Sequence, residues 1–467
     1  MALSRIWASF IIVALLVSVI RFEFQKDQKN IFSQLVTGKN TDTISVRNVD
    51  SALIPANVQQ QFQFDKVAVW GKEKVYRSGS SYRVFITLPS NGIFETCKGA
   101  VDICIGLIGI MALFMGFMSI AEKAGGIRLL SKIIGPFFSK IFPDIPKGHP
   151  SMGHMMMNFS ANIMGLDNAA TPFGIKAMES LQELNPDKEK ASNAQIMFLC
   201  LHASGLTLIP VAIIAARASL KKPSLNPTEI FIPCMIATFV ATIAAMLIIS
   251  YKQKINIFQK AIMTWVLGIS AVIALLVLYI HSLNSEGVQS FSSLLSNGII
   301  LLIFLLIVIG ALYKKINIFD AFVEGAKGGF ETSVRIIPYL VGMLVAISLL
   351  RNSGVFEMIM DGFKYVFAGL GFDTRFVEGI PTALIKPLSG SGARGMMIDT
   401  MNAYGADSFA GRLSCILQGS SDTTFYVIAV YFGAVGIKNT RYAIGAMLLA
   451  DLVGILTAIA VCYLFFG

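Results

Sequence analysis

Long apolar segments, each closed by charged or strongly polar residues, recur along the whole chain. A run of about 20 apolar residues forms a helix that crosses the roughly 30 Å hydrocarbon core of a bilayer. The pattern therefore predicts an all-α polytopic membrane protein. The predicted crossing segments are Ile6–Ile20, Gly99–Ala121, Asn193–Ala216, Ile230–Ser250, Ala261–Ile280, Gly298–Leu312, Ile336–Leu350, Leu413–Val435 and Ala443–Phe466.

Two further segments combine apolar flanks with a polar, interrupted centre. Met155–Gly174 carries Gly165 and Pro172 among asparagines and an aspartate, and Ile385–Asn402 carries a cluster of glycines and serines behind Lys386. Such backbone at membrane depth is stable only where it is buried in protein or lines a wet cavity. We therefore expect both segments to be re-entrant helical hairpins. For the first segment, a polar loop on the cytoplasmic surface is the alternative.

Residues 21–98 form a polar insert that follows the first apolar segment. Val67–Trp70 and Tyr82–Leu88 alternate apolar and polar side chains as strands do, and Ser78–Ser81 is typical of a turn. We expect a small extracytoplasmic β-rich domain here. Residues 1–20 are not followed by a small-x-small cleavage site, which favours an uncleaved transmembrane helix over a signal peptide.

The same order of segments occurs twice, in residues 99–250 and in residues 298–467, and the linker 251–297 contains one further crossing segment. Each half has crossing segments, an amphipathic segment, a polar hairpin, a polar-centred crossing segment and an apolar crossing segment. The amphipathic segments, Ile127–Phe142 and Val355–Leu370, suit helices that lie at the membrane interface.

Local sequence supports this duplication. Lys123–Gly125 aligns with Asn352–Gly354, and Cys200–Thr207 aligns with Ile416–Thr423. An odd number of crossings separates equivalent segments, so we expect the second repeat to be inverted relative to the first. Inverted repeats with interrupted helices are typical of secondary transporters, although duplication without transport gives the same pattern.

The distribution of charge predicts an orientation in the membrane. Residues 122–192 hold eight lysines and arginines, whereas residues 281–297 hold none. Because basic loops stay in the cytoplasm, we expect a cytoplasmic N-terminus and an external insert, although Arg217, Lys221 and Lys222 fall on the predicted outer side. The net charge of +10 is explained by such loops and does not indicate a nucleic-acid partner.

Several classes of function find no support in the sequence. The six cysteines are scattered without a C-x-x-C pair, so neither a disulfide framework nor a metal site is predicted. No phosphate-binding P-loop, nucleophile elbow or metalloprotease motif occurs, so we do not expect an enzyme. Residues 390–395 match G-x-G-x-x-G, but without a βαβ unit around them a dinucleotide site is rejected.

The glycines of residues 390–395 instead predict a tight hairpin tip with free backbone N–H groups. Such groups attract anionic or carbonyl groups, and Lys386 and Arg394 add positive charge unless they extend to the membrane interface. His202 can carry a proton, although a histidine that is hydrogen-bonded within the packed core is the simpler interpretation.

Polar side chains in the hairpins and the polar-centred segments are the candidate solute-binding residues, because such groups in a membrane are costly and usually functional. Asp167 and Asp422 are candidates for charge chemistry. Each can bind a coupling cation, carry a proton or bond a substrate hydroxyl, or else pair structurally with Lys386 or Arg394. The candidates are Asn158, Asn162, Asp167, Asn168, Thr171, His202, Ser204, Thr207, Lys386, Ser389, Ser391, Arg394, Gln418, Ser420, Ser421, Asp422 and Thr423.

Three stretches of this sequence resemble a known family. NFSANIMGLDNAATPFGIKAMESLQELNP, residues 158–186, resembles spore maturation protein A. PTALIKPLSGSGARGMMIDTMNAYGADS, residues 381–408, and LQGSSDTTFYVIAVYFGAVGIKNTRYA, residues 417–443, resemble spore maturation protein B. The chain is thus similar to a fusion of the two, each half with the nucleoside recognition, or gate, domain. The insert 21–98 departs from the usual short loop.

The resemblance implies helical hairpins that hold a small polar solute with ion coupling, as in concentrative nucleoside transporters. We therefore expect an inner-membrane secondary transporter in a bacterium, coupled to Na+ or H+ and without another cofactor, with nucleosides as one class of solute. A non-transporting membrane scaffold for envelope or spore maturation, or a passive channel or metal-ion pathway, is the alternative. Expected partners are the lipid bilayer, a small polar solute, an envelope protein at residues 21–98 and further copies of the chain.

Overall fold

The computed structural model describes residues 2–24, 30–49, 54, 58–59, 67–70, 73–78, 81–88, 90–163, 167–207, 209–283 and 285–467. The chain divides into two compact units. The first contains residues 1–102 and 338–372, and the second contains residues 103–337 and 373–467.

The first unit contains an antiparallel sheet with the strand order β1-β4-β3-β2. Its small core is formed by side chains such as Val58, Val75 and Val84. The elements of this part are α1 (Ala2–Phe24), α2 (Ile31–Thr37), β1 (Thr43–Val49), β2 (Val67–Trp70), β3 (Glu73–Ser78) and β4 (Ser81–Thr87).

Helices follow one another through the rest of the chain. The first set comprises α3 (Ile93–Lys123), α4 (Gly126–Ile141), α5 (Pro150–Ile163), α6 (Asp167–Leu184), α7 (Asn193–Ala203), α8 (Val211–Ala218) and α9 (Phe231–Gln253). Two helices then intervene, α10 (Lys260–His281) and α11 (Ser285–Tyr313). The second set comprises α12 (Ile318–Asn352), α13 (Val355–Gly369), a 3-10 turn (Arg375–Gly379), α14 (Ile380–Ile385), α15 (Gly390–Tyr404), α16 (Phe409–Gly419), α17 (Thr424–Ala434) and α18 (Ala443–Phe466).

Seven helices in the described ranges are long and apolar enough to cross a membrane: α1, α3, α9, α10, α11, α12 and α18. Leucines on α10 and α11, among them Leu275 and Leu305, are largely uncovered by protein, as lipid-facing side chains are. The packed core of the second unit instead lies among α7, α9 and α18, with Phe198, Ile249 and Met447 fully or almost fully buried.

Several helices extend beyond the apolar runs that indicated them. The helix α1 does not end at Arg21 but continues to Phe24, and the Arg21 guanidinium packs against Gly354. Helix α12 begins at Ile318, well before the predicted start at Ile336. Hydrophobicity marks the lipid-covered part of a helix, whereas its hydrogen-bonded ladder continues through polar residues.

The two sets of helices are built from matching parts. Glycines with left-handed backbone, Gly125 (φ 86°) and Gly354 (φ 78°), precede the amphipathic helices α4 and α13. Serines cap α7 and α16: the Ser192 hydroxyl accepts from the Gln195 N–H, and the Ser408 hydroxyl accepts from the Gly411 N–H. Both capped helices are 11 residues long. The internal repeat is therefore present in the structure as well as in the sequence.

The prediction that Asn193–Ala216 and Leu413–Val435 are single crossing helices is wrong, because each is divided into two helices. The first divides between α7 and α8, where Gly205 has a left-handed φ of 61° and Pro210 lacks an N–H group. The second divides between α16 and α17, at the polar residues Ser420–Thr423.

The two polar hairpin segments are also divided. In the first, α5 ends at Ile163 and α6 begins at Asp167, and the predicted interrupter Gly165 lies outside the described residues. In the second, the break lies between α14 and α15. Gly390, Gly392 and Gly395 belong to α15 itself, so they do not form the expected glycine-rich tip. The Ser389 hydroxyl caps this helix by accepting the Gly392 N–H at 3.0 Å.

Arg217, which falls on the predicted outer side of the membrane, is fully buried at the end of α8. Its guanidinium donates to the Ala406 carbonyl oxygen (2.9 Å) and the Ser224 hydroxyl (2.7 Å). It also bonds to the carboxylates of Glu229 (2.6 Å) and Asp407 (3.0 Å). A buried charge is tolerated only when it is paired in this way.

Arg412 completes this charge network by binding both carboxylate oxygens of Glu229, at 2.7 and 3.1 Å. The network joins the segment before α9 to the segment before α16, so it connects the two repeats. Burial by itself raises the pKa of the Asp407 carboxyl, but hydrogen bonds from Ser224 and the Leu225 N–H and the charge of Arg217 outweigh burial. They hold that pKa below its usual value of 3.8.

The depressed pKa of Asp407 predicts a pH-dependent contribution to stability. The contribution is present above the unfolded pKa of 3.8 and is lost as the pH falls through the lower folded value. We expect Asp407→Asn to cost about 1–2 kcal/mol near pH 7 and to reduce the fall in melting temperature below about pH 4. Thermal unfolding in detergent measures both effects, with the exposed Asp187→Asn as control. A wild-type pH profile in Asp407→Asn would contradict the assignment.

Gly205 predicts a second stability difference. Alanine in left-handed backbone costs about 1–2 kcal/mol, and at Gly205 its Cβ would also lie 3.3 Å from the Asp422 amide nitrogen. Gly148 is a matched control, since its φ of 82° is also left-handed and an added Cβ would contact nothing within 4 Å. We expect Gly205→Ala to lower the melting temperature more than Gly148→Ala. Equal losses would mean that the added Cβ is accommodated beside the Asp422 amide and that only the left-handed backbone is costly.

Candidate functional site

The breaks of the two divided helices contact each other directly. The Asp422 N–H, in the break between α16 and α17, donates to the Ala203 carbonyl oxygen at the end of α7, 2.7 Å away. In each break a serine hydroxyl donates to a carbonyl oxygen of the preceding helix. Ser204 donates to the Leu201 carbonyl oxygen (2.8 Å) and Ser420 to the Leu417 carbonyl oxygen (2.9 Å). We call this contact between Ala203–Gly205 and Ser420–Thr423 the junction.

Short local bonds also hold the two breaks. Thr207 donates its hydroxyl hydrogen to the Gly205 carbonyl oxygen (2.9 Å), and the Thr423 N–H donates to a carboxylate oxygen of Asp422 (2.6 Å). The Ser204 hydroxyl also bonds to Thr242 of α9, at 3.0 Å. These bonds satisfy part of the backbone that helix ends leave unpaired.

His202, the residue before the last one of α7, connects the first hairpin to the junction. Its Nδ1 lies 3.0 Å from the Asn158 Oδ1 and 2.8 Å from the Asn162 Nδ2, and its Nε2 lies 3.8 Å from an Asp422 carboxylate oxygen. The histidine is buried, whereas 46% of the Asp422 side chain is uncovered by protein.

The amides beside His202 decide which proton positions its ring can take. Asn158 donates its Nδ2–H to the Ala170 carbonyl oxygen (2.6 Å), which turns its Oδ1 toward the histidine. The Asn162 Nδ2, a donor, lies 2.8 Å from the same ring nitrogen, so Nδ1 bonds to Asn158 as an N–H or to Asn162 as a lone pair, according to the tautomer. In the neutral ring, Nε2 presents a lone pair toward Asp422 in the first case and an N–H in the second.

Tyr431 of α17 closes the other side of the first hairpin. Its hydroxyl hydrogen-bonds to Thr171 and Asn158, and its ring lies edge-on to His202 with ring centroids 4.8 Å apart. An added Cβ at Gly174 would lie 2.5 Å from the Tyr431 ring and 2.8 Å from the Asn158 Nδ2. The lack of a side chain at Gly174 is therefore what allows α6 and α17 to approach.

The second hairpin reaches the same junction from α14 and α15. The buried Lys386 donates to the Gln418 carbonyl oxygen, 2.7 Å away, at the negative end of the α16 dipole. The Phe425 N–H donates to the Pro387 carbonyl oxygen (2.9 Å). A Cβ at Gly390 would lie 2.7 Å from the Thr423 hydroxyl oxygen. Lys386 therefore acts as a helix-end partner and does not extend to the membrane interface.

Gln418 has unused hydrogen-bonding capacity beside this second hairpin. Its Nε2 makes a long contact of 3.4 Å with the Gly390 carbonyl oxygen, and its Oε1 is buried without a partner in the described part of the chain. The Thr382 hydroxyl oxygen of α14 is also buried without a hydrogen-bond partner in the described part of the chain. An unpaired buried oxygen costs about 1–3 kcal/mol, so a ligand that donates a hydrogen bond would be stabilised here.

A cavity of about 110 Å³ lies beside His202, between α4, α5, α7, α9 and α10. Asn162, His202 and Thr242 supply its polar end, and the rest of the wall is apolar and partly aromatic, with Phe159 and Trp265 among its residues. Its size admits one small group of a solute, since whole drug-sized ligands occupy roughly 300 Å³ or more.

Asp451 of α18 lies behind the junction and was not among the candidate residues. Its carboxylate accepts hydrogen bonds from the hydroxyls of Thr424 (2.5 Å) and Ser421, and the residue is buried. A lone carboxylate within the apolar run Ala443–Phe466 was the signal that could have identified it. Tyr431 and Thr242 gave no such signal, because only the packing brings them to the junction.

The described candidate residues from the two hairpins and the two breaks thus meet around the junction, with Arg394 as an exception. Ser389 and Ser391 lie at the start of α15 on either side of Gly390, with their hydroxyls 3.2 Å apart. Arg394 lies further along α15, near Cys104 of α3. The side chains of Asp167 and Asn168 lie outside the described residues. In the described part of the chain, no group of three His, Cys, Asp or Glu residues is placed to hold a metal ion.

Comparison with known proteins identifies the same two halves. A family model described as "Gate: Nucleoside recognition" matches residues 104–220 and 333–438. Spore maturation protein B of Bacillus subtilis (strain 168) is 51% identical over 154 residues, which are 33% of this chain and 85% of that protein. Spore maturation protein A of the same organism is 42% identical over 162 residues, which are 35% of this chain and 82% of that protein.

The two relatives match separate parts of the chain, as a fusion of the two would. Together with the candidate membrane spans, these matches make the chain a multi-pass membrane protein. It belongs to the family of spore maturation proteins A and B, with one gate domain in each half.

Proposed function

We propose that this protein is an inner-membrane secondary transporter of a small polar solute, formed by two inverted repeats. The observation that carries the proposal is the junction, where two divided helices contact each other through their breaks. Divided helices that meet near the middle of the bilayer, with free polar groups at their ends, form the solute and ion sites of many secondary transporters.

Contacts at the two ends of α9 support the inversion of the repeats. This helix has 23 residues and spans about 34 Å. Gln253, the last residue of α9, donates to the Asn193 carbonyl oxygen at the start of α7 (2.8 Å). Glu229, just before α9, binds Arg412 near the start of α16. The helices α7 and α16 therefore start at opposite ends of α9. Each has 11 residues, about 16 Å or half a bilayer core, which supports a junction near the midplane.

The contacts at the two ends of each hairpin support re-entrant hairpins. At the end of the first hairpin, Gln182 of α6 bonds to Gln195 of α7 (2.8 Å), whereas Asn162 of α5 reaches His202 near the junction. The second hairpin is arranged the other way round. The Ala406 carbonyl oxygen, just after α15, accepts from Arg217 beside the start of α9, whereas the start of α15 lies at the junction. Hairpins that enter from opposite faces and stop at the midplane account for all four contacts.

The groups around the junction suit a solute that both donates and accepts hydrogen bonds. The Oε1 of Gln418 and the half-exposed carboxylate of Asp422 accept, and the first N–H groups of α15 and the amide of Asn162 donate. The apolar wall of the cavity suits a less polar part of the same molecule. Nucleosides combine these properties and remain one class to test. Coupling to Na+ or H+ would use the charge of Asp422 facing His202.

In this proposal the protein resides in the cytoplasmic membrane of a bacterium with its N-terminus inside. The basic loops of residues 122–192 support that orientation. The sheet of the insert 21–98 would then face outward and is the surface we assign to an envelope partner. No catalytic step is proposed, since the junction offers binding groups and not an activated nucleophile.

Uptake into proteoliposomes tests the transport proposal. A thermal-shift screen with nucleosides, short peptides and cell-wall fragments selects the solute, and uptake is then followed with and without Na+ and pH gradients. We expect Asp422→Asn to fold normally but to lose ion-dependent uptake by about tenfold to a hundredfold, the effect of a lost hydrogen bond to a charged group. Asp187→Asn, in an exposed loop, should transport as the wild type does.

Two results would contradict the proposal in different ways. If no solute in the screen is taken up or shifts the melting temperature, a non-transporting scaffold is the better description. If Asp422→Asn is unstable while its remaining uptake keeps the ion dependence, Asp422 is a structural residue and coupling lies elsewhere.

Cysteine labelling tests the orientation. In a Cys97→Ser background, Asn40→Cys places a thiol on an exposed residue of the insert, and Lys188→Cys places one in the exposed loop before α7. We expect a membrane-impermeant maleimide to label only the first variant in intact spheroplasts, because residue 40 would be external and residue 188 cytoplasmic. Labelling of residue 188 alone would reverse the orientation.

A further inference from the structure

Asp451 is a buried ionisable group that the transport proposal above does not use. It is the ninth residue of α18, so it lies about 12 Å from the start of a helix that is long and apolar enough to cross the membrane. Only 4% of its surface is uncovered. An isolated carboxylate in such a place is strongly destabilised unless it is paired with a cation or neutralised by a proton.

The partners of Asp451 are hydroxyl groups and not a cation. In the described residues its hydrogen bonds come from Thr424, the first residue of α17, and from Ser421 in the adjacent break. A hydroxyl can donate to a carboxylate or accept from a carboxylic acid by rotating its hydrogen. The same two side chains therefore satisfy both protonation states of Asp451 without moving. A lysine or arginine partner, which only donates, would satisfy the ionised state alone.

The groups around Asp451 act in opposite directions on its charge. The titratable and charged groups that face it are Lys386 at the end of α14, Asp422 in the break between α16 and α17, and Cys200 of α7. Lys386 favours the carboxylate, as does the positive end of the α17 dipole at Thr424. Burial and the charge of Asp422 favour the neutral acid. A group under such balanced influences can exchange its proton, whereas a strongly favoured state would hold it.

Ser421 places Asp451 close to the open side of the junction. Ser421, which bonds to Asp451, precedes Asp422 in the chain, and the Asp422 carboxylate is 46% uncovered. The hydroxyl that bonds to Asp451 therefore belongs to the same break as the uncovered carboxylate. Hard metal cations need several further oxygen ligands, and the contacts of Asp451 in the described part of the chain supply two hydroxyls.

We propose that Asp451 is a proton-binding residue of this protein, loaded from the junction through Ser421 and Thr424. The carboxylate takes up one proton from water on one side of the membrane to become a carboxylic acid, and it releases the same proton in a later step. As a coupling site this rests on the proposed transport function and names H+ as the coupling ion. Proton binding itself does not depend on transport.

Infrared difference spectroscopy tests proton binding without any solute. The full-length protein in lipid membranes is measured while the bulk pH is stepped, and the carboxylic C=O band of a group that gains a proton is recorded. We expect a titrating band that is lost in Asp451→Asn and retained in Asp422→Asn. A band that persists in Asp451→Asn, or no titrating band in the wild type, would overturn the proposal.

A second pair of variants keeps the test decisive if Asp451→Asn does not fold. Thr424→Val removes a hydroxyl that bonds to Asp451, so the band of the retained carboxyl group should change its frequency. Thr457→Val on the same helix as Asp451 is the control, because its hydroxyl bonds to the Val453 carbonyl oxygen of α18. A frequency that is unchanged in Thr424→Val, or changed equally in both variants, would show that the band does not come from Asp451.

Uptake measurements separate this inference from the transport function. If the protein transports a solute, Asp451→Asn should lose the dependence of uptake on the pH gradient by about tenfold or more. Uptake that keeps its pH dependence in Asp451→Asn contradicts the coupling role and leaves transport intact. A titrating Asp451 band in a protein that takes up no solute contradicts transport and leaves the proton site intact.

Discussion

The hydrogen bond from the Asp422 N–H to the Ala203 carbonyl oxygen is the contact on which the arrangement of this molecule depends. Helix ends away from water must find partners for their free N–H and C=O groups, because each unsatisfied group costs several kcal/mol in a bilayer. Here the two breaks satisfy part of that requirement for each other. Ser204 and Ser420 satisfy a further part within their own helices, and Lys386 covers the Gln418 carbonyl oxygen.

Buried charge imposes a second constraint, because a charge away from water must be paired. The charged groups near the start of α9 are buried and paired, whereas those near its end are exposed to solvent. Near the start of α9, Arg217 is fully buried among carboxylates and a carbonyl group. Near the end of α9, Lys438 pairs with Glu189 through side chains that are 75% and 67% exposed. Exposed pairs contribute little to stability, whereas removing one member of a buried pair is costly. Removing one member of a charge pair should therefore cost more stability at the start of α9 than at its end.

The polar groups between these ends are only partly satisfied by the protein. The Oε1 of Gln418 lacks a partner in the described ranges, and His202 faces Asp422 across a gap too long for a hydrogen bond. Asp451 relies on two hydroxyls. Polar groups without full hydrogen-bonding partners cost stability, and in membrane proteins they occur mainly at functional sites.

The sequence by itself predicted much of the fold, because the membrane leaves few choices for an apolar run. It indicated crossing helices, the amphipathic helices α4 and α13 and the repeat, which depend on local patterns of hydrophobicity and on aligned glycines and serines. It also identified His202, Asp422 and Gln418 as candidate binding residues, because polar residues are easily recognised within apolar segments.

The tertiary structure decided what depends on partners distant in the chain. Whether a polar segment stays one helix or divides depends on whether its freed backbone groups find partners, and the Ala203–Asp422 bond joins residues more than 200 positions apart. The same reasoning applies to Arg217, which the sequence showed only as a basic residue on the predicted outer side and which the fold buries against Glu229 and Asp407. Hydropathy records how a residue interacts with water or lipid, and it carries no information about which other polar group replaces that water in the folded state.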